Sequence, residues 1–378
     1  MKFHLVATMA AGLEAVTARE LKDMGYHTQT ENGRVYFDGD ERDIVRTNVW
    51  LRSADRVKIV LAKFKALSFE DLFQNVKAIP WADYMPLDAE FPVAGRAVRS
   101  KLHSEPDVQA VTKKAIVESM SETYHRRSRL PETGDKYPLE ISIHNDIAMM
   151  TMDTTGDSLF KRGYRVAAGP APMKENFAAA LVMLTNWRPN MPFYDPTTGS
   201  GTIAIEAALY GNNMAPGIQR DFAFEGFDFI PDNLLDDVRA EAETLAKDED
   251  LDILGGDINQ DMIEIANVNA KAAGVLHPVR FKQLAVKDFK TDEPRGVIVA
   301  NPPYGKRMAD EDIARNLARE MGQVYGQLPG WSKYILSGDL EFERFYGSKA
   351  TKRRKLYNGA MRTDLFQYWG RRLPRDKK

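Results

Sequence analysis

The chain has 378 residues, 43% hydrophobic and 28% charged, an ordinary globular balance with room for two or three cores. It holds no cysteine, which excludes a disulfide framework, a thiolate zinc site and a thiol nucleophile; the six histidines are scattered, so no metal is expected. The formal charge of −2 hides an asymmetry: residues 1–172 carry 24 basic and 24 acidic side chains, 173–339 carry 16 and 26, and 340–378 carry 12 and 4. The basic end, Lys349–Lys355 above all, suits contact with a polyanion or a β-hairpin that closes a sheet. No apolar run reaches the roughly 18 residues of a membrane span. The weakly apolar start, interrupted by His4 and Glu14, reads as part of the mature fold and not as a signal peptide, so a cytoplasmic protein is expected.

Residues 1–65 read as a small α+β unit. A strand at Phe3–Thr8 leads to a helix at Leu13–Met24 closed by Gly25, and Asn32-Gly33 signals a hairpin before the strand Arg34–Phe37. A helix at Glu41–Leu51 and a strand at Arg56–Phe64 follow. Residues 66–165 read as a second α+β unit, with a helix at Phe69–Val76, a strand at Glu90–Val98 and a basic loop carrying Arg96, Arg99, Lys101 and His103. Next come a helix from Pro106 to about Arg127, with apolar Val108, Val111, Ala115 and Met120, and strands Leu139–His144 and Ile147–Asp153. The cations of that helix, Lys113, Lys114, Arg126 and Arg127, read either as a solvated face, given Glu118 and Glu122 among them, or as phosphate contacts.

Gly169-Pro170-Ala171-Pro172 reads as a linker, and beyond it helices alternate with apolar strands, the pattern of a parallel doubly wound sheet. Strands are expected at Phe193–Asp195, Ile253–Ile258, Val279–Leu284, Val297–Asn301 and Tyr334–Ser337. Asp195-Pro196-Thr197-Thr198-Gly199-Ser200-Gly201-Thr202 follows the first of these and opens a helix, Ile203–Tyr210. The two glycines allow a tight turn and close approach of a ligand, and the helix start offers N–H groups to an anion. Thr202 stands where a phosphate-binding loop would carry lysine, and Asp195 favours a ligand with an ammonium group; S-adenosylmethionine has one and has no phosphate. Asp257, with Ile258 beside it, ends the next strand and suits a ribose diol. Asp288 follows the third strand and suits an adenine amine. Each acid alone is more often a helix cap. Asp257 lies farther beyond the Gly loop than the usual 20 or so residues, and the surplus, Asn212–Asp252, reads as an insertion that leaves the strand order intact.

The run Gly296–Ala300 ends in Asn301-Pro302-Pro303-Tyr304. Two prolines, each with φ fixed at about −65°, make a stiff loop with predetermined carbonyl directions. Asn301 adds an acceptor, and Tyr304 a flat ring suited to stacking on a base. Such a loop suits the holding of an exocyclic amino group.

With this ordered set the chain resembles the THUMP-containing RNA guanine-N2 methyltransferases, a group that includes the YpsC-like proteins and the N-terminal methyltransferase half of the bacterial 23S rRNA m2G enzyme. Gly12-Leu13-Glu14, Leu159–Arg165, Lys174-Glu175-Asn176, Ala215-Pro216-Gly217 and Lys355–Gly359 are similar to stretches typical of that group. The resemblance implies a ferredoxin-like domain at 1–65, a THUMP RNA-binding domain at 66–165 and a Rossmann-like methyltransferase domain at 166–378. It implies S-adenosylmethionine bound by Asp195, Pro196, Thr197, Gly199, Ser200, Gly201, Thr202, Asp257, Ile258 and Asp288. Catalysis would rest on Asn301, Pro302, Pro303 and Tyr304, and RNA would meet Arg99, Lys101, Lys113, Lys114, Arg126, Arg127 and Arg162. The expected partner is RNA, rRNA before tRNA, with the protein a monomer or weak oligomer. The rival readings are a tRNA guanine-N2 methyltransferase, an N6-adenine nucleic-acid methyltransferase, a protein glutamine methyltransferase and a non-catalytic RNA-binding assembly factor.

Overall fold

Asn32-Gly33 forms the turn its residues dictate: Gly33 takes a φ of +70° and joins β2 (Gln29–Glu31) to β3 (Arg34–Gly39) in an antiparallel hairpin. The hairpin belongs to the first of two sheets in the computed structural model, which describes residues 1–126, 129–167, 172–303, 308–359 and 361–371. β1 (Phe3–Thr8), β4 (Arg56–Lys65), β5 (Val93–Val98), β6 (Leu139–His144) and β7 (Ile147–Asp153) complete it in the order β2-β3-β1-β4-β7-β6-β5. Only β5 and β6 run parallel. Because β4 pairs with β7 along its length, with a bulge between Val60 and Ala62, the two α+β stretches share one continuous sheet.

Helices α1 (Glu14–Asp23), α2 (Glu41–Trp50), α3 (Phe69–Lys77) and α4 (Glu105–Thr123) accompany these strands. Capping boxes start α2 (Asp40 with Asp43) and α3 (Ser68 with Asp71), satisfying backbone donors that a helix start leaves open. α4 buries Val108, Thr112, Ala115, Ile116 and Met120 and ends at Thr123, short of the expected Arg127, which lies outside the described residues. The expected linker residues Gly169, Pro170 and Ala171 also lie outside them.

The second sheet is mixed. β8 (Phe193–Asp195), β9 (Ile253–Asp257), β10 (Val279–Gln283), β11 (Gly296–Ala300) and β12 (Trp331–Ser337) are parallel, and β13 (Lys352–Asn358) and β14 (Met361–Tyr368) close it as an antiparallel hairpin. The order is β10-β9-β8-β11-β12-β14-β13. The basic segment Lys349–Lys355 thus runs into β13 of the closing hairpin. α5 (Glu175–Met183), α6 (Thr202–Gly211), α7 (Leu234–Leu245), α8 (Gln260–Ala272), α9 (Met308–Gly326) and the short α10 (Phe342–Tyr346) intervene. Tyr194, stacked on Phe289 at 4.0 Å, packs in one core cluster with Ile298, Trp331, Ile335 and Phe366.

The chain forms two compact units, one of Met1–Thr8, Ala18–Leu159 and Arg220–Glu241, the other of Met9–Thr17, Phe160–Gln219 and Ala242–Lys378. Strand order is untouched by the long segment between the first two parallel strands: Phe193, Tyr194 and Asp195 pair directly with Ile253, Leu254 and Gly255. Its middle part belongs to the first unit, where Phe227 stacks on Tyr137 at 4.7 Å and Arg220 Nη1 donates to Ser158 O at 2.7 Å. Gly12 belongs to the second. Arg354 Nη2 donates to Gly12 O at 2.7 Å, and a Cβ on Gly12 would lie 2.8 Å from Lys355 O, so two of the stretches singled out in the sequence meet at a point where only glycine fits.

Candidate active site

In the second sheet the strand order reverses at β8, with β9 on one side and β11 on the other, which opens a crevice at the carboxyl ends of these strands. The Gly loop lies there. Thr198 N donates to Gly256 O at 2.9 Å and Gly201 N to Thr198 O at 2.8 Å, folding the loop back on β9. Gly199 and Gly201 have φ of +51° and +86°, and beside Gly199 a Cβ would meet nothing within 4 Å. A Cβ on Gly255 would lie 2.5 Å from the Phe281 ring, so β9 needs glycine for the loop and ring to pack. No side chain caps α6, whose N-cap is Gly201, and its first N–H groups remain for a ligand.

Asp195, at the end of β8, is fully buried. Among the described residues neither carboxylate oxygen has a hydrogen-bond partner. Burial pushes its pKa up to about 7; the nearby Thr198 hydroxyl and Thr197 N–H pull it down, and Asp257 adds a smaller upward push. A buried carboxylate without a partner calls for a cation.

Asp257, at the end of β9, accepts from Gly199 N through Oδ2 at 3.0 Å and from Asn259 N through Oδ1 at 2.9 Å. Each oxygen keeps a lone pair for a further donor. Ile258 beside it is 74% exposed, an apolar side chain offered to solvent or to a flat ligand. Asp288, exposed, ends the 3-10 turn Val286–Asp288 beyond β10, whose Val286 is buried in the core. Pro196, Ser200 and Thr202 are buried in the loop and Thr197 half-buried.

Two residues that sequence reasoning missed hold this loop. The Arg165 guanidinium donates to Glu175 Oε1 (2.7 Å), Met173 O (2.7 Å), Ser200 Oγ (3.2 Å) and Thr202 Oγ1 (3.2 Å), tying the start of α5 to the start of α6. Asn269, buried on α8, donates to Ser200 O at 3.0 Å and Ala167 O at 2.9 Å and accepts from Val166 N at 3.1 Å. The signal for Arg165 was its place in the Leu159–Arg165 stretch. Asn269 carried none, since a lone asparagine in a helix gives no hint of burial.

Asn301, half-buried, and Pro302, buried, leave the end of β11 next to β8 and its Asp195; Pro303 is exposed, and Tyr304 lies outside the described residues. On the β12 side of this loop is a cavity of about 320 Å³ bordered by Pro302, Pro303, Arg315, Asp339, Leu340 and Phe345, at the small end of the ligand-site range.

The expected RNA contacts divide. Arg99, Lys101, Lys114 and Arg126 are exposed. Lys113 is half-buried: its ammonium donates to Glu132 (2.6 Å) and Phe91 O (3.0 Å) and lies 3.5 Å from the centre of the Phe91 ring. Arg162 is a correction, a buried side chain paired with buried Glu206 at 3.4 Å within the second unit. Arg127 lies outside the described residues.

The residues present fit S-adenosylmethionine: partnerless Asp195 for its ammonium, the α6 start for its carboxylate, Asp257 for its ribose diol and Ile258 against its adenine. No metal-type cluster of three or more His, Cys, Asp or Glu occurs among the described residues, and none of their helices is long and apolar enough to cross a membrane.

Comparison with known proteins agrees with this geometry. Residues 162–367 match the RMKL-like methyltransferase domain, residues 4–58 the RlmL ferredoxin-like domain and residues 66–153 the THUMP domain. A Bacillus subtilis (strain 168) protein named "Putative RNA methyltransferase YpsC" is 48% identical, over 100% of this chain and 98% of its own. A solved structure from Listeria monocytogenes, described as a "predicted N6-adenine-specific DNA methylase", is 55% identical with a TM-score of 0.94, covering 98% of this chain and 97% of its own. SMU.472, a "putative methyltransferase" solved with SAH, is 49% identical with a TM-score of 0.94, covering 99% of each chain. The chain thus belongs to the RMKL-like methyltransferase family, with ferredoxin-like and THUMP domains ahead of an α/β methyltransferase domain.

Proposed function

We propose that this chain is an S-adenosylmethionine-dependent RNA methyltransferase acting on the exocyclic N2 of a guanine in 23S rRNA. The observation that carries the reading is the position of Asn301-Pro302-Pro303 at the carboxyl end of β11, directly beside the β8 strand that ends in Asp195. The THUMP domain and the name of the B. subtilis relative support RNA, and SMU.472, solved with SAH, supports the cofactor. Residues 1–65, 66–165 and 166–378 serve as ferredoxin-like, THUMP and methyltransferase domains, with exposed Arg99, Lys101, Lys114 and Arg126 available to phosphates.

S-adenosylmethionine supplies an electrophilic methyl group on a sulfonium. Asp195 holds its ammonium, Asp257 its ribose, Ile258 lies on its adenine and Asp288 accepts from the adenine amine. A ring amine is a poor nucleophile because its lone pair is delocalised. Asn301 Oδ1 and the Pro302 carbonyl take its two hydrogens and favour a pyramidal nitrogen with its lone pair exposed. Tyr304 stacks on the extruded base, which is cheapest at an unpaired site. With S-adenosylmethionine bound, the amine lone pair so exposed would take the methyl group, the S–C bonding pair staying on sulfur, and the surplus amine proton would leave to water. Positioning supplies most of the acceleration, with reacting atoms about 3–3.5 Å apart.

The specific rival is N6-adenine methylation, which the name of the Listeria relative favours and which the same loop chemistry serves; tRNA is the rival substrate. Nucleoside mass spectrometry on RNA fractions from a deletion strain and its parent decides among them. Loss of N2-methylguanosine from large-subunit rRNA alone is expected. Loss from tRNA moves the substrate, and loss of N6-methyladenosine overturns the base. Asn301→Ala should abolish transfer and spare SAH binding.

A further inference from the structure

The cavity beside Pro302 and Pro303 takes no part in the cofactor set described above. It lies over β11 and β12, whereas Asp195, the Gly loop and Asp257 lie over β8 and β9, with Asn301-Pro302-Pro303 between the two groups. A group held by that loop and facing the cofactor from the other side would occupy this cavity. Its walls suit a flat ring: Pro303 and Leu340 are exposed, and Phe345 lies under the Arg315 guanidinium at 4.8 Å.

Its polar groups are few and fixed. Asp339 N donates to Ser337 Oγ at 3.1 Å, and Asp339 Oδ1 accepts from Glu341 N at 2.8 Å. Arg315 Nε donates to Asp339 Oδ2 at 3.3 Å, and Arg315 Nη1 lies 3.7 Å from Glu311 Oε2. Both side chains of this pair keep about a third of their surface open, 30% for Arg315 and 27% for Asp339. A carboxylate only accepts and a guanidinium only donates. Along its Watson–Crick edge guanine offers the N2 amine, then the N1–H donor, then the O6 acceptor; adenine offers an acceptor at N1 and a donor at position 6.

We infer that this cavity is the acceptor-base pocket and that Asp339 and Arg315 read guanine in it, Asp339 accepting N1–H and Arg315 donating to O6 while the N2 amine is held by Asn301 and Pro302. The inference rests on the N2-guanine reading above and adds the residues that set base identity. Adenine with its amine held by Asn301 and Pro302 would put its N1 lone pair against the Asp339 carboxylate and a C2–H, which accepts no hydrogen bond, against the Arg315 guanidinium, a mismatch that a site built for hydrogen bonds rejects strongly. The bland alternative is that Asp339 only shapes the turn into α10. Asp339→Asn separates the two, because the asparagine oxygen still accepts from Glu341 N while its amide nitrogen replaces an acceptor with a donor.

The test uses the purified full chain, S-adenosylmethionine labelled on the methyl group, and total RNA from a deletion strain, which carries the unmethylated acceptor. Label from wild-type enzyme is expected in N2-methylguanosine. Asp339→Asn should lower kcat/KM for RNA at least tenfold, leaving the KM for S-adenosylmethionine and the Kd for SAH unchanged, and Glu243→Gln, at an exposed position of α7, should stay within twofold of wild type. Asp339→Asn turning over within twofold of wild type overturns the inference. Should Asp339→Asn lose SAH binding through misfolding, Arg315→Gln replaces it with the same expected and overturning results. The identity of the labelled nucleoside tests the N2-guanine reading separately: label in N6-methyladenosine overturns that reading and the hydrogen-bond scheme with it.

Discussion

Gly199 N donates a hydrogen bond to Asp257 Oδ2 at 3.0 Å across 58 residues of sequence. The same carboxylate accepts from Asn259 N at 2.9 Å, where α8 begins. One side chain therefore fixes both the Gly loop after β8 and the helix start after β9, which makes it the anchor of the cofactor crevice.

Replacing Asp257 by asparagine keeps its shape and turns one acceptor oxygen into a donor. One of the two backbone contacts is lost together with a ribose acceptor. Hydrogen bonds to charged groups contribute about 1.5–3 kcal/mol, so Asp257→Asn should weaken SAH binding by about 10- to 100-fold in calorimetry. An unchanged affinity would place the ribose elsewhere.

Asp195 should make cofactor affinity depend on pH. Its folded pKa of about 7 lies above the ordinary carboxylate value, so the folded ligand-free chain holds the proton more tightly than the unfolded chain. Stability from this group is therefore highest at acid pH, declines as pH rises from about 4 to about 7, and is level beyond. A ligand ammonium needs the ionised form, so SAH affinity should rise by up to about tenfold per pH unit between roughly 5.5 and 7 and then level off. Calorimetry at pH 5.5, 6.5 and 7.5 reads this directly, and Asp195→Asn should flatten the profile. A flat wild-type profile would remove Asp195 from the ammonium site.

Gly255 and Gly199 should respond differently to alanine. At Gly255 a Cβ would lie 2.5 Å from the Phe281 ring and 2.8 Å from Thr198 Oγ1, an overpacking that costs about 1–3 kcal/mol. At Gly199 the new atom meets nothing within 4 Å, and only the left-handed backbone at φ +51° is penalised, by about 1 kcal/mol. Thermal denaturation should show the larger fall in Tm for Gly255→Ala, and SAH affinity should suffer in both. A larger fall for Gly199→Ala would contradict the packing.

Arg162 should act on stability and leave RNA affinity alone. Its guanidinium and the Glu206 carboxylate are both buried, and removing one member of such a pair costs about 3–5 kcal/mol. Urea unfolding of Arg162→Ala should show a clearly lower midpoint, whereas Lys114→Ala should keep its midpoint and reduce the salt dependence of RNA binding. An unchanged midpoint with weaker RNA binding would return Arg162 to the RNA surface.

Much of the site was readable because its chemistry sits at strand ends. Asp195, Asp257 and Asn301 each follow an apolar run, and the runs form parallel strands in one sheet, so their ends share an edge. Charge patterning misled at Arg162: a cation in sequence carries no mark of whether a carboxylate will meet it inside the fold.

Near neighbours in the chain account for the local devices: the Asn32-Gly33 turn, the capping boxes at Asp40 and Ser68, the Gly loop and the stiff Asn301-Pro302-Pro303 loop. These depend on φ preferences and on side chains within a few residues, which any reader of the chain can see. Long-range packing is what sets Asn269 and Arg165 against the Gly loop, Gly12 against Lys355, and Asp339 and Arg315 around a cavity beside Pro302. Those relations join residues tens to hundreds of positions apart, and strand order with close packing, not local preference, brings them within hydrogen-bond reach.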